Sequence, residues 1–158
     1  MKLTLALVRI GMGWIFFWAF WDKLLGLGFA TEAGKSWLAG SSPTTGFLKF
    51  AVHGPFKPFF ESLAGNFFVD WLFMLGLLCI GLALILGIGM KIATYAGSLL
   101  LFLMWLSLLP PENNPFVDDH IIYILALIAL SQSKAGEVLG FAKSWSKTKL
   151  VQDYPLFR

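Results

Sequence analysis

Four ionisable residues stand where they could do chemistry: Lys23, Asp70, Asp119 and His120. Each lies near the end of a long apolar stretch, where charge is costly and usually has a partner or a task. An imidazole or a carboxylate exchanges protons, and an ammonium orients an oxygen. Aromatic residues accompany them, among them Phe20, Trp71, Trp105 and Tyr123. A flat apolar slot edged by a proton-exchanging group is what quinone chemistry requires. In that reading Lys23 orients an oxygen, His120 with Asp119 handles protons, and Trp71 with Trp105 walls the ring. The same four charges also read as an ion-paired network closing one end of a helical bundle, and the sequence leaves both readings open.

Other chemistries fail on residue count. The two histidines, His53 and His120, cannot face each other within a membrane as haem ligands, and a metal would need both plus Asp119. Neither haem nor metal is expected. There is no GxSxG, no glycine-rich phosphate loop and no cysteine in a polar setting. The single Cys79 excludes an internal disulfide and is expected to be a small core residue. Inverted repeats or broken helices, the usual signs of a transporter, are not visible.

The elements that must position these residues are four apolar stretches at 3–21, 67–89, 92–109 and 116–131. About 20 apolar residues in helix span a bilayer's hydrocarbon. The first three stretches reach that length. The fourth is continuously apolar only over 121–130, which puts Asp118, Asp119 and His120 at or slightly below the membrane surface. The expected fold is all-α: a polytopic four-helix membrane bundle forming one domain over 1–158, with short extra helices in the first extracytoplasmic loop. With 58% hydrophobic and only 13% charged residues, the chain lies far from soluble composition. Its net charge of +3 is spread by topology rather than clustered, so no nucleic-acid partner is expected.

Eight of the twelve basic residues mark one side, and the other four, Lys23, Lys35, Lys49 and Lys57, lie in the segment 22–66. Lys2, Arg9, Lys91, Lys134, Lys143, Lys147, Lys149 and Arg158 bracket the stretches, whereas 110–115 and the following Asp118 and Asp119 carry no Lys or Arg. The positive-inside rule then gives a multi-pass protein of the cell membrane with both termini cytoplasmic. The first stretch is longer than a signal peptide's apolar region and is expected to be retained.

On a helical wheel, Arg9, Gly13, Phe16, Phe20 and Lys23 share one side of the first stretch, and Trp14, Trp18 and Trp21 the other. The charged side should face the bundle. The Trp stripe then faces lipid as an anchor, or a neighbouring subunit, including a second copy. Lys23 stands about 21 Å from Arg9 along the axis. On the third stretch Tyr95, Ser98, Phe102 and Trp105 share a face; on the fourth, His120, Ile124, Leu127 and Ser131 do. The segment 22–66 is too long for a structureless loop and reads as an aromatic lid of short helices, with Thr31 and Thr45 as N-caps and Pro55 opening a third. The tail 133–158 reads as an amphipathic helix on the anionic cytoplasmic surface, with Val138, Leu139, Phe141, Ala142 and Trp145 on its apolar face.

The run Arg9-Ile10-Gly11-Met12-Gly13-Trp14-Ile15-Phe16-Phe17, followed by Asp22-Lys23-Leu24, resembles the opening of the DoxX/DoxD-like family of four-helix membrane proteins. The likeness extends through Gly34-Lys35, Ser41-Ser42-Pro43-Thr44-Thr45-Gly46-Phe47-Leu48, Ala64-Gly65-Asn66 and Asp70-Trp71-Leu72-Phe73. It resumes at Pro110-Pro111-Glu112-Asn113-Asn114-Pro115-Phe116 and Asp118-Asp119-His120. What the resemblance implies is the membrane subunit of a thiosulfate:quinone oxidoreductase, working beside a second small subunit. The competing expectation is a non-catalytic accessory subunit of a larger membrane complex.

Overall fold

The computed structural model describes residues 1–112 and 114–157. Asn113, expected in the turn before the fourth stretch, and Arg158, expected at the end of the basic tail, lie outside the described residues. All regular structure among the described residues is helical. Helix α1 is Lys2–Leu25, and Gly26 stops it in a left-handed conformation (φ 69) with its N–H donating to the Asp22 carbonyl. Helix α3, Phe67–Leu86, begins where Asn66 Oδ1 accepts from the Phe68 and Val69 N–H groups. Helix α4 is Met90–Ser107 and α5 is Asp119–Gln132. Between α1 and α3 lie a π-helical turn, Phe47–Ala51, and the short helix α2, Lys57–Ser62.

Helices α1, α3 and α4 are long and apolar enough to cross a membrane, which marks a membrane-embedded protein. The fourth stretch is shorter than expected. Asn114 Oδ1 takes the N–H groups of Phe116 and Val117, Asp118 caps the helix, and α5 runs for 14 residues, beginning at Asp119. That is about 21 Å of rise, short of the ~30 Å hydrocarbon.

Helix α1 lies chiefly against α3, and α4 against α5. Small residues set the first contact. A Cβ on Gly81 would stand 2.7 Å from the Phe17 backbone nitrogen, and one on Gly13 2.8 Å from that of Ile85. Phe16, Met74, Leu84 and Leu127 fill the centre. On α1 the wheel holds: Arg9, Gly13, Phe16 and Phe20 are buried, while Trp14 is 54% exposed. On α4, Tyr95 and Phe102 share the outward side, and Ala93, Gly97 and Leu101 are the buried face, because Gly97 admits the Leu127 side chain from α5. Cys79 is exposed rather than core.

Arg9 is fully buried, and among the described residues no carboxylate pairs with it. Its Nη1 donates to the carbonyls of Leu84 (2.5 Å) and Ile85 (3.1 Å) at the end of α3. Its Nη2 donates to those of Val138 (3.2 Å) and Leu139 (2.7 Å) in the tail. Carbonyls at a helix C-terminus carry partial negative charge and no intrahelical partner, so the two Nη groups satisfy them, while Nε is left without a partner among the described residues. This clamp requires an extended tail at Val138, and the expected single amphipathic helix is absent. In its place are a 3₁₀ turn Ala135–Glu137, α6 Ala142–Trp145, α7 Lys149–Asp153 and a 3₁₀ turn Pro155–Phe157. In the lid, Thr31 and Thr45 cap no helix, and Pro58 rather than Pro55 sits in the first turn of α2.

Candidate functional site

At the end of the helices opposite Arg9, a cleft of about 450 Å³ opens between α3, α4 and the lid. Its walls are apolar: Leu72, Phe73, Gly76 and Ile80 from α3, and Ala96, Leu99, Leu100 and Leu103 from α4. The lid roofs it with Phe47 and Leu48 from the π-helical turn, Phe60 from α2, and Leu63. Leu72 and Leu99 at its edge are largely exposed, so the cleft opens sideways on the face that lipid would cover. Lys23 is the only charged residue among its lining.

Lys23 is partly buried in the last turn of α1. Among the described residues the ion pairs are Lys35–Glu32, Lys57–Glu61 and His120–Asp118, so no carboxylate pairs with Lys23. Its Nζ stands 6.0 Å from the centre of the Phe73 ring, a cation–π arrangement on the cleft wall. The backbone at this point is fixed by the lid, because the Lys23 and Leu24 carbonyls accept from the Trp37 and Leu38 N–H groups. The neighbouring Asp22 carboxylate is 1% exposed; one oxygen accepts from Phe29 N–H at 3.3 Å and the other has no partner among the described residues.

Asp70, buried in the first turn of α3, accepts from Thr44 Oγ1 (2.5 Å) and Ser42 Oγ (2.9 Å). Thr44 lines the cleft, so Asp70 stands one hydrogen bond behind its wall and ties the lid to α3. Lys23 and Asp70 thus belong to one region. His120 and Asp119 do not line the cleft. His120 Nδ1 lies 2.8 Å from Asp118 Oδ2, so its carboxylate partner is Asp118, and Asp119 is exposed.

The expected ring wall is also redistributed. Trp71 packs edge-on against Trp37 with centroids 4.7 Å apart. Trp105 donates its indole N–H to the Phe116 carbonyl, pinning the start of the α4–α5 connection. Phe20 is core and Tyr123 packs against that core. The rings that line the cleft are Phe47, Phe60 and Phe73.

A further contact fastens the lid. His53 N–H donates to the Ser107 carbonyl, while its ring places Nδ1 3.2 Å from the Ala51 carbonyl and Nε2 3.1 Å from that of Pro110. Carbonyls only accept, so both contacts are made at once by the imidazolium alone. They hold the His53 pKa above its ordinary value, Pro110 foremost, with the nearby Glu112 charge adding to the effect.

Set against protein-family models, curated proteins and solved structures, the chain matches none of them.

Proposed function

We propose that this protein is a quinone-binding subunit of a membrane oxidoreductase, holding the ring of its ligand in the cleft beneath the lid. The observation that supports it is Lys23: one ammonium, without a partner among the described residues, on the wall of an otherwise apolar slot that opens sideways. A quinone diffuses within the bilayer and would enter from that side. Its carbonyl oxygen accepts from Lys23, its ring lies among Phe47, Phe60 and Phe73, and its isoprenoid tail follows Leu72 and Leu99 into lipid. The ammonium strengthens as a donor when charge develops on that oxygen during reduction, so the site favours the reduced anion over the neutral ring.

In this reading α1, α3, α4 and α5 form a four-helix membrane bundle in the cell membrane, with both termini cytoplasmic and residues 22–66 as an extracytoplasmic lid. The DoxX-like resemblance supplies the reaction class, thiosulfate:quinone oxidoreduction, and a second small subunit as electron-transfer partner. Proton handling by His120 and Asp119 has no support from the geometry; the His120–Asp118 pair closes the start of α5 instead. The test is solvent extraction of the purified protein followed by chromatography of lipophilic redox compounds. Stoichiometric quinone in the wild type, lost in Lys23→Met, is expected. Quinone-free protein from quinone-replete membranes sinks the reading.

The Trp14–Trp18 stack on the exposed side of α1, with ring centroids 5.8 Å apart, favours a second reading as a docking subunit of a larger complex. Loss of co-purifying partners in Trp14→Ala with quinone retained would favour it.

A further inference from the structure

A second cavity, of about 240 Å³, lies at the opposite end of the helices, independent of the quinone reading. Its lining contains Lys91 from the first turn of α4, Ser131 from the last turn of α5, and Lys134 and Glu137 just beyond. Trp145 and Ser146 close the side formed by the tail. Neither lysine is ion-paired among the described residues, and neither is Glu137. Lys91 uses one of its three donors on the Pro155 carbonyl at 3.3 Å. Two cations and a carboxylate therefore share one pocket without neutralising one another.

A further feature favours an anion there. Gly89, the N-cap of α4, offers no side chain to cap it, so the N–H groups of its first turn remain available beside Lys91. Lys134 follows the last turn of α5 at φ 53, the left-handed position that commonly ends a helix, and the chain turns there toward the cavity. Glu137 argues against a simple anion, because its charge repels one. A ligand that carries a phosphodiester and, a few bonds away, an ammonium satisfies all three side chains. The Trp145 indole N–H is already committed to the Phe157 carbonyl at 2.6 Å, leaving the ring face to meet a cation.

The surroundings point to a lipid as the source. One turn from Lys91 stands exposed Tyr95, and one turn from Ser131 stands exposed Ile128, on two helices that pack together. Acyl chains attached to a headgroup in the cavity would run over these exposed side chains of α4 and α5.

We propose that this cavity binds the headgroup of a phosphatidylethanolamine-type lipid, its phosphodiester on Lys91, Lys134 and the first turn of α4, and its ammonium on Glu137 and the Trp145 ring. The protein is exchanged in detergent into phosphatidylethanolamine, phosphatidylcholine or phosphatidylglycerol, and bound lipid is counted by native mass spectrometry. Wild type should retain phosphatidylethanolamine about tenfold better than phosphatidylcholine, whose methylated nitrogen donates no hydrogen bond to Glu137. Glu137→Gln should bring the two to the same level, and Lys91→Gln with Lys134→Gln should release both. Thermal unfolding in detergent controls for folding, and the single Glu137→Gln change at an exposed position stands if the double variant fails to fold. Equal retention of the three lipids, preference for phosphatidylglycerol, or unchanged retention in Glu137→Gln overturns the assignment. Displacement by millimolar inorganic phosphate would show a free-anion site and overturn the lipid source.

Discussion

Helix α1 carries a cation near each end on the same side, and the two are treated oppositely. Arg9 is sealed from solvent and gives its four Nη bonds to backbone carbonyls of α3 and the tail. Lys23 is partly buried on the wall of a cleft and gives none to the described residues. Taking a charge out of water costs several kcal/mol unless hydrogen bonds replace its hydration. Arg9 has that replacement built in, so its role is to hold the fold. Lys23 has no such replacement among the described residues, and in the proposed reading it is kept for the ligand, which sets a structural cation against a binding one.

The largest test removes each cation in turn. Arg9→Leu should cost about 3–5 kcal/mol, because four carbonyls lose their donors and the tail loses its anchor. Lys23→Met should leave the ligand-free protein about as stable as wild type, since no hydrogen bond or ion pair is lost and the loss of the contact with the Phe73 ring is offset by relief of a partly buried charge. Thermal or denaturant unfolding in detergent reads both, and equal losses would erase the contrast.

Next comes the close approach that sets the α1 face. Gly81→Val should destabilise by about 1–3 kcal/mol, because its side chain would meet the Phe17 backbone rather than a movable side chain. Gly76→Val, with open space around its Cβ, should be tolerated as a fold change yet narrow the cleft it lines. Unfolding midpoints and quinone content separate the two.

A smaller effect is expected where the lid meets α3. Thr44→Val removes a donor to Asp70 and should cost about 1–2 kcal/mol, while loosening the roof over Lys23. Protease sensitivity of residues 43–63 should rise without global unfolding.

The smallest concerns His53. Its folded pKa lies above its ordinary value, so its contribution is fully present below the unfolded-state pKa and fades as pH rises through the folded one. Lid protection, measured by hydrogen exchange at Ala51–Gly54, should fall over that window in wild type. In His53→Gln the fall should vanish.

The inward side of α1 was legible in the sequence because a charged stripe leaves little choice of face. The third stretch offered no charge to fix its rotation, and a missing side chain, Gly97, decided it. The start of α5 followed capping rules that the sequence contained. An Asp at Asp118 accepts from the N–H groups two and three residues on, which brings its carboxylate to His120, whereas Asp119 turns to solvent. The tail's apolar spacing imitated a helix, but Gly136 and Gly140 pack against the α3 end and Arg9 so closely that an extended path wins. The segment 22–66 was marked by its length and its aromatics, and these did not locate its helices. The bridge from His53 to Pro110 joins residues 57 apart, and no local pattern announces such a contact.

The most direct test of the Lys23 account is quinone-induced stabilisation compared between wild type and Lys23→Met in the same detergent. A short-chain quinone should raise the wild-type unfolding midpoint and leave that of Lys23→Met unmoved, with the unliganded midpoints within a degree or two of each other. A Lys23→Met protein that is stabilised as strongly as wild type would contradict the claim that this ammonium is reserved for the ligand.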